Sequence, residues 1–238
     1  MKILKLIAIL FFDLIDKHYH QRRIINFIKG QNFDVKIFLD IGSHKGTYTD
    51  LILNNFKNCK SYLFEPQKHI FKFLKKKYKK KKNIYIFNYA LSNKRSIQTL
   101  NINQHDLTSS LSKIDEKNSY LKIKAKLFST TSKEMIFKKE KVKTQKLVDL
   151  LKSKKIKNID LLKIDTEGHE FQVLKGLNNE IKKVRYILIE FHNDEIYLNY
   201  KPKKIHDYLI NNDFILKSTY KFPFTTWEDR FYINAKYQ

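Results

Sequence analysis

Glycine, proline and cysteine are all scarce in this sequence. Its 238 residues include only 5 glycines, 3 prolines and 1 cysteine, whereas 42% are hydrophobic and 14% are aromatic. This composition excludes a collagen-like, linker-like or disordered chain, because such chains lack apolar side chains to bury. The single cysteine, Cys59, excludes an intramolecular disulfide and a zinc site built from cysteines, and it suits a reducing compartment such as the cytoplasm. The length suits one well-developed domain with extensions.

Acidic residues are scarce relative to basic ones. The chain has 48 lysines and arginines against 24 acidic residues, a formal net charge of +24. Such a charge suits a nucleic acid, an anionic membrane surface or an acidic substrate as partner. Only five of the basic residues are arginines, however, and arginine is the residue that pairs bidentately with phosphates and bases. Because isoleucine, asparagine, tyrosine and phenylalanine are also frequent, a bias towards A/T-rich codons is the favoured explanation of the charge.

No hydrophobic run reaches the roughly 20 residues that a transmembrane helix requires. The apolar segment at residues 3–15 is too short for that. We predict an N-terminal helical extension over residues 1–30 and a main domain over residues 31–238. Three interpretations of the extension stay open: a helix packed on the domain, a helix in a membrane interface, or a cleaved or anchoring signal. The second predicts peripheral contact with the inner face of a membrane through residues 1–29.

Short apolar strands alternate with amphipathic helices along most of the chain. This alternation predicts an α/β fold, with a mostly parallel sheet covered by helices on both faces. Two strands close together at the end of the chain predict an antiparallel edge pair. The predicted strands span residues 36–40, 60–64, 83–88, 96–101, 159–164, 184–191, 214–219 and 230–235, and the helices span residues 46–56, 67–78, 145–151, 169–177 and 203–211.

A glycine-containing loop joins the first strand to the first helix of the main domain and reads Asp40-Ile-Gly-Ser-His-Lys-Gly46. Open α/β sheets bind ligands where strand and helix termini converge in this way, and Gly42 and Gly46 allow the backbone to bend. The spacing matches neither the dinucleotide fingerprint nor the phosphate-binding loop of nucleoside triphosphatases. Asp40 suits a ligand that carries an ammonium group. Glu65 ends the next strand, where nucleotide-binding folds use a carboxylate to bind ribose hydroxyls.

Two further clusters follow later strands. Lys163 and Asp165 lie on one face of a strand, within the segment Lys-Ile-Asp-Thr-Glu-Gly-His-Glu. We expect these two residues to pair, because a buried charge without a partner is costly. Glu190 and His192 share a face at the end of the following strand. Since the ends of neighbouring parallel strands meet, His192 is a candidate catalytic residue.

These motifs, in this order, resemble the FkbM-type methyltransferases, which depend on S-adenosylmethionine and have the Rossmann-like class I methyltransferase fold. The segment Lys-Ile-Asp-x-Glu-Gly is the most specific of them. Together the motifs cover about residues 36–235. The matching segments are Leu39 to Thr49, Phe64 to Pro66, Asn88 to Ser92, Ser109 to Leu111, Leu162 to Glu170 and Glu190 to His192.

The resemblance implies S-adenosylmethionine as the cofactor and O-methylation of a hydroxyl on a sugar, a glycan or a related metabolite. It also implies where each part of the cofactor binds. The implied residues are Asp40, Gly42, Ser43, His44 and Gly46 for the methionine part, Glu65 with Pro66 for the ribose, Asn88, Ala90 and Leu91 for the adenine, and Asp165 near the methionine amine or the reactive methyl.

A hydroxyl acceptor must lose a proton during methyl transfer, which requires a positioned base. We expect His192 or Glu167 to take this proton and Asp165 to help place the acceptor or the cofactor. These residues and Glu190 also offer oxygen and nitrogen ligands, so a Mg²⁺ site is an alternative. The favoured prediction is a site in which no residue binds a metal.

Two other functions stay open at this point. The charge favours a nucleic-acid methyltransferase, although we expect no nucleic-acid partner, and a non-catalytic protein that retains the fold is the second alternative. The predicted acceptor is a small molecule or glycan that contacts residues 106–137 and 222–227. The sequence does not indicate an oligomeric state.

Overall fold

The structure is a computed structural model. Residues 3–13 of the predicted apolar segment, and half of the residues from 106 to 137, lie outside the residues that it describes. The described residues are 14–31, 33–103, 109–119, 121–123, 136–223 and 225–238.

Strands and helices alternate in the structure as the sequence predicts. The helices are α1 (Gln21–Gly30), α2 (Thr47–Asn55), α3 (Lys68–Lys77), α4 (Leu147–Ser153), α5 (Glu170–Lys175) and α6 (Pro202–Ile210). The strands are β1 (Ile37–Ile41), β2 (Lys60–Phe64), β3 (Ile84–Phe87), β4 (Ala90–Leu91), β5 (Ser96–Asn103), β6 (Ile136–Gln145), β7 (Ile159–Ile164), β8 (Val184–His192), β9 (Phe214–Lys221) and β10 (Trp227–Asn234).

Seven strands form one sheet in the order β3-β2-β1-β7-β8-β10-β9. The first five are parallel, and β10 runs antiparallel to both β8 and β9. The order reverses at β1, so the strand ends on either side of β1 border a common crevice where open α/β sheets bind ligands. This is the class I methyltransferase fold, and the predicted mixed sheet with its antiparallel final pair is confirmed.

Apolar side chains cover both faces of the sheet. Leu39 of β1 belongs to one buried cluster, together with residues of α4, α5 and α6. Its neighbour Phe38 points to the other face and joins a cluster that includes Ile24 and Ile28 of α1 and Ile52 of α2. This alternation follows from the two-residue period of a strand, and it confirms the prediction of helices on both faces.

Helix α1 packs on the sheet through its apolar side. Ile24, Ile25 and Ile28 are all buried, and just before the helix the ring of His20 lies 2.8 Å from the Asp229 carboxylate of β10. These apolar side chains therefore contact the core rather than a lipid surface. Within the described part of the chain, no helix is long and apolar enough to cross a membrane. Peripheral membrane contact through residues 1–29 stays a prediction.

A second, three-stranded sheet in the order β4-β6-β5 was not predicted from the sequence. β6 pairs antiparallel with β5 along most of its length and parallel with the short β4. A bridge between Asn101 and Ser110 continues this layer. The second sheet places the segment around Ser110 above the carboxyl ends of the strands of the main sheet.

Candidate active site

A cleft opens at the carboxyl ends of β1, β2 and β7. It encloses about 590 Å³, including space open to solvent. The predicted site residues that line this cofactor cleft are Gly42, His44, Glu65, Pro66, Ala90, Leu91, Asp165 and Glu167, whereas Asp40, Ser43, Gly46, Asn88 and His192 do not line it.

The glycine-containing loop bends as predicted, because Gly42 and Gly46 have φ angles of 81° and 75°. A Cβ atom on Gly42 would lie 1.7 Å from the backbone oxygen of Asp165, and one on Gly46 would lie 2.5 Å from the hydroxyl of Tyr78. Both glycines therefore permit close approach by other parts of this chain. The backbone amides of Gly42 and Ser43 donate to the Phe64 oxygen, which joins the loop to the end of β2.

Asp40 lies beneath the loop rather than in the wall of the cleft. It is fully buried and accepts a 2.6 Å hydrogen bond from the Thr49 hydroxyl of α2. Burial raises the pKa of Asp40, although the nearby Lys163 charge opposes this. Its second oxygen, Oδ1, has no hydrogen-bond partner among the described residues. The predicted contact of Asp40 with the cofactor stays a prediction.

Backbone hydrogen bonds hold Glu65 in the cleft wall. Its two carboxylate oxygens accept the amide protons of His44, at 3.0 Å, and of Gln67, at 2.8 Å. The exposed Asn88 donates its side-chain amide to the backbone oxygens of Glu65 and Pro66, so it fixes the turn that carries the carboxylate.

This cleft has the chemistry that S-adenosylmethionine requires. A fixed carboxylate, Glu65, stands where a ribose diol needs an acceptor. Ala90 and Leu91, together with Leu100 and Leu111, supply an apolar wall suited to the adenine ring. The residues present therefore fit the cofactor.

Lys163 and Asp165 pair at the end of β7, which confirms the predicted ion pair. The ammonium nitrogen and the Asp165 carboxylate are 2.8 Å apart, and the same ammonium lies over the ring of Tyr48. Burial acts to raise the pKa of Asp165, but the charge and the hydrogen bond of Lys163 outweigh burial and hold the pKa below its ordinary value. Asp165 therefore presents a negative charge to the cofactor cleft.

The turn after Asp165 adopts a strained backbone. Glu167 has a φ angle of 55°, and Gly168, with a φ angle of 89°, packs so closely against Tyr197 that a Cβ atom would lie 2.4 Å from the tyrosine ring. Glu170 holds the turn from within, because its Oε1 accepts the backbone amides of Thr166 and Gly168. Non-glycine residues in the left-handed region concentrate at functional sites.

Side chains from two distant segments fix the turn at Glu167 and Gly168. The Tyr197 hydroxyl donates to the Glu167 carboxylate, and the Ser110 hydroxyl donates to its backbone oxygen. Ser112 donates to the Gly168 oxygen at 2.7 Å. Ser110 belongs to the matching segment Ser109 to Leu111, for which the sequence predicted no contact with Glu167, and no sequence signal singled out Tyr197.

His192 and Glu190 lie behind Glu167, where β8 ends beside β7. His192 Nε2 is 3.2 Å from a Glu190 oxygen and 3.8 Å from a Glu167 oxygen. Burial acts to lower the pKa of His192, but the surrounding carboxylates, led by Glu190, raise it well above its ordinary value. A protonated imidazole donates a proton rather than taking one, so of the two predicted bases the arrangement favours Glu167. The catalytic role of either residue stays a prediction.

His169 borders the cofactor cleft, and sequence reasoning did not single it out. Its ring nitrogen Nε2 lies 3.0 Å from the Ser92 hydroxyl, and burial lowers the pKa of His169 to about 4. The ring is therefore neutral at pH 7. His169 and Gly168 also line a second cleft on the other side of the turn.

This second cleft encloses about 1,050 Å³, including space open to solvent. Three lysines, Lys94, Lys201 and Lys204, line it together with the aromatic rings of Phe171 and Tyr200. It therefore joins positive charge to aromatic surface beside the cofactor cleft.

The family model described as "Methyltransferase FkbM domain" matches residues 40–216 of this chain. The chain belongs to the FkbM methyltransferase family. Its domain is an S-adenosylmethionine-dependent methyltransferase domain, as the resemblance implied. The match extends from Asp40, at the glycine-containing loop, into β9 and includes every predicted cofactor-binding residue.

One curated protein shares a short segment with the chain. The hexuronic acid methyltransferase AglP of Haloferax volcanii is 35% identical over 51 residues, which is 21% of this chain and 21% of that protein. The match thus spans about one fifth of the relative's length.

Three solved structures of similar fold are distant from this chain in sequence. TrmK of M. capricolum in complex with S-adenosylhomocysteine is 12% identical, with a TM-score of 0.48 over 88% of this chain and 67% of that one. Aeropyrum pernix fibrillarin with bound S-adenosylmethionine is 11% identical, with a TM-score of 0.48 over 85% of this chain and 68% of that one. A methyltransferase from Aquifex aeolicus is 12% identical, with a TM-score of 0.47 over 93% of both chains.

Proposed function

We propose that this protein transfers a methyl group from S-adenosylmethionine to a hydroxyl oxygen of a carboxylated sugar, such as a hexuronic acid or a glycan that contains one. The observation that carries the proposal is the lysine-lined second cleft, which shares His169 with the lining of the cofactor cleft. The segment shared with a hexuronic acid methyltransferase supports the same acceptor class.

When bound, the cofactor supplies an electrophilic methyl group on a sulfonium. The chain holds the cofactor with the glycine-containing loop, the fixed carboxylate of Glu65 and the apolar wall at Ala90 and Leu91. The negative charge of Asp165 lies in the same cleft and suits the positive charge of the methionine end. Fixing both reactants in line contributes much of the acceleration in such a transfer, up to about 7–11 kcal/mol.

Glu167 is placed to take the proton of the acceptor hydroxyl. Glu167 lines the cofactor cleft, and the Tyr197 hydroxyl donates a hydrogen bond to its carboxylate. The bound cofactor would supply the methyl group and leave as S-adenosylhomocysteine, and Glu167 would accept the proton that the acceptor hydroxyl loses.

The second cleft offers what a carboxylated sugar needs for recognition. Lys201 and Lys204 supply ammonium groups for the carboxylate, and Phe171 supplies a ring face on which a sugar can stack. Lys204 already lies 4.8 Å from the centre of the Phe171 ring, so charge and aromatic surface are adjacent.

The test is a transfer assay with S-adenosylmethionine labelled on the methyl group, offered glucuronic acid, glucose and total RNA as acceptors. We expect label on a glucuronic acid hydroxyl, and a Lys201→Gln/Lys204→Gln variant should raise KM for glucuronic acid tenfold or more at unchanged cofactor affinity. Lys203→Gln is the matched control, because Lys203 is an exposed neighbour that pairs with Asp207 and does not line the cleft. Equal labelling of glucose, or label found only in RNA, would contradict the proposed acceptor.

A further inference from the structure

Three potential metal ligands converge at the adjoining ends of β7 and β8, behind the wall of the cofactor cleft. One ligating atom from each of Glu167, Glu190 and His192 lies within 4.8 Å of the other two. We call these three residues the acid–imidazole cluster. Parallel pairing of β7 with β8 brings their ends together, and the strained turn at Glu167 directs its carboxylate back towards β8.

Two atoms of this cluster are buried without a hydrogen bond. Glu190 and His192 are only 8% and 5% exposed, and among the described residues neither Glu190 Oε2 nor His192 Nε2 has a hydrogen-bond partner. The two atoms lie 3.2 Å apart, but their geometry does not make a hydrogen bond. Buried polar atoms are nearly always bonded, and leaving one unsatisfied is costly, so such atoms point to a missing ligand.

We propose that the acid–imidazole cluster binds one divalent metal ion, with Glu167, Glu190 and His192 as its protein ligands. Binding would displace the proton of His192, so that the ion receives lone pairs from His192 Nε2 and Glu190 Oε2. It would also neutralise the negative charge that Glu167 and Glu190 bring close to Asp165 in a buried space.

The ligand set identifies the class of metal. Two carboxylates suit Mg²⁺ and Mn²⁺, and an imidazole nitrogen extends the set towards Mn²⁺ and other first-row ions. The Tyr197 hydroxyl supports the Glu167 carboxylate from outside the set, as groups behind metal ligands commonly do. Because three protein ligands leave coordination positions open, water or substrate oxygen can complete the shell.

The cluster reaches the reaction site through Glu167, which lines the cofactor cleft. We assign the metal the task of holding the acceptor hydroxyl oxygen next to the methyl group, where its charge favours loss of the hydroxyl proton. This task rests on the proposed function, whereas metal binding itself does not.

The test is a titration of the full-length chain with Mn²⁺, followed by electron paramagnetic resonance, with neither cofactor nor acceptor present. We expect one Mn²⁺ per chain, and binding at least tenfold weaker in Glu190→Gln and in Glu167→Gln. Glu180→Gln is the matched control, because Glu180 pairs with Lys183 just before β8, at the opposite end of that strand from His192, and this variant should bind Mn²⁺ like the wild type.

Binding of S-adenosylhomocysteine by each variant verifies its fold. No saturable Mn²⁺ binding by a wild-type protein that binds S-adenosylhomocysteine would overturn the proposal, as would equal Mn²⁺ affinity in wild type and both cluster variants. A failure of the proposed acceptor would show instead in the sugar assay, which the titration does not use.

Discussion

The two sides of the site hold their principal carboxylates in different ways. On the cofactor side, at the ends of β1 and β2, both oxygens of Glu65 accept backbone amides, and Asn88 ties down the turn. On the acceptor side, at the ends of β7 and β8, Glu190 and His192 each bury an atom that has no hydrogen-bond partner among the described residues. Glu65 is therefore fixed by the chain itself, whereas Glu190 and His192 each leave a buried atom for a ligand, as Asp40 does with its Oδ1 beneath the glycine-containing loop.

The largest expected effect concerns the contact that joins the two sides. Gly42→Ala would place a methyl group 1.7 Å from the Asp165 oxygen at a φ angle that favours glycine, so we expect a loss of about 4 kcal/mol or more in unfolding free energy. Urea unfolding measures this loss of unfolding free energy. Gly30→Ala is the control, because no heavy atom lies within 4 Å of its added Cβ, and it should change stability by less than about 0.5 kcal/mol. Equal stability of the two variants would show that the sides are not in contact here.

A smaller effect is expected at His169, which lies between the two clefts. Burial lowers its pKa to about 4, whereas the unfolded chain takes up the proton near its ordinary pKa of 6.5. Between these values the unfolded state binds more protons, so stability falls as the pH falls from about 6.5 to 4. Because of this linkage, the free energy of unfolding should fall by about 2 kcal/mol more in the wild type than in His169→Gln when the pH is lowered from 8 to 5. Parallel curves of unfolding free energy against pH would contradict a neutral, buried ring.

Glu65→Gln tests the fixed geometry of the cofactor side. An amide has only one oxygen for the two backbone amides that Glu65 now accepts, and it lacks the charge. We expect the affinity for S-adenosylmethionine to fall tenfold or more, about 1.4 kcal/mol, in equilibrium dialysis. Glu180→Gln provides the same chemical change away from the cleft, and equal affinity of the two variants would remove Glu65 from the cofactor site.

The smallest effect on stability is expected on the acceptor side. Tyr197→Phe removes the hydroxyl that holds Glu167 but keeps the ring that packs against Gly168, so stability should fall by only about 1 kcal/mol. The turnover number should fall while the affinity for the cofactor stays unchanged, because Tyr197 does not line the cofactor cleft. Steady-state kinetics measures the turnover number, and a separate titration measures the affinity for the cofactor. A loss of cofactor affinity would show that the two sides are not independent.

Much of the main sheet could be predicted from the sequence, because its buried strands are short apolar runs between helices. β6 could not. Lys141 and Lys143 alternate with Val142 and Thr144 along it, and with its solvent-facing side made of lysines the segment resembles a polar loop. Its place is set by pairing with β5, a contact between distant parts of the chain.

The residues of the site likewise divide into those that the sequence predicts and those that only the fold brings together. The glycine-containing loop and Glu65 could be predicted because spacing along one strand–turn–helix unit determines their positions. Tyr197 could not, since it contacts Glu167 across 30 residues of sequence and only the fold brings them together. Asp40 lies one layer deeper than the cleft wall, where it bonds to Thr49, and its contact with the cofactor, direct or through a water, stays a prediction.

The most direct test of this account is a calorimetric titration of the full-length protein with S-adenosylhomocysteine, without added metal. A cofactor side that the chain itself holds in place should bind one equivalent with micromolar affinity under these conditions. A folded protein that gives no saturable heat would contradict the central claim that the cleft at the ends of β1 and β2 is a ready-made cofactor site.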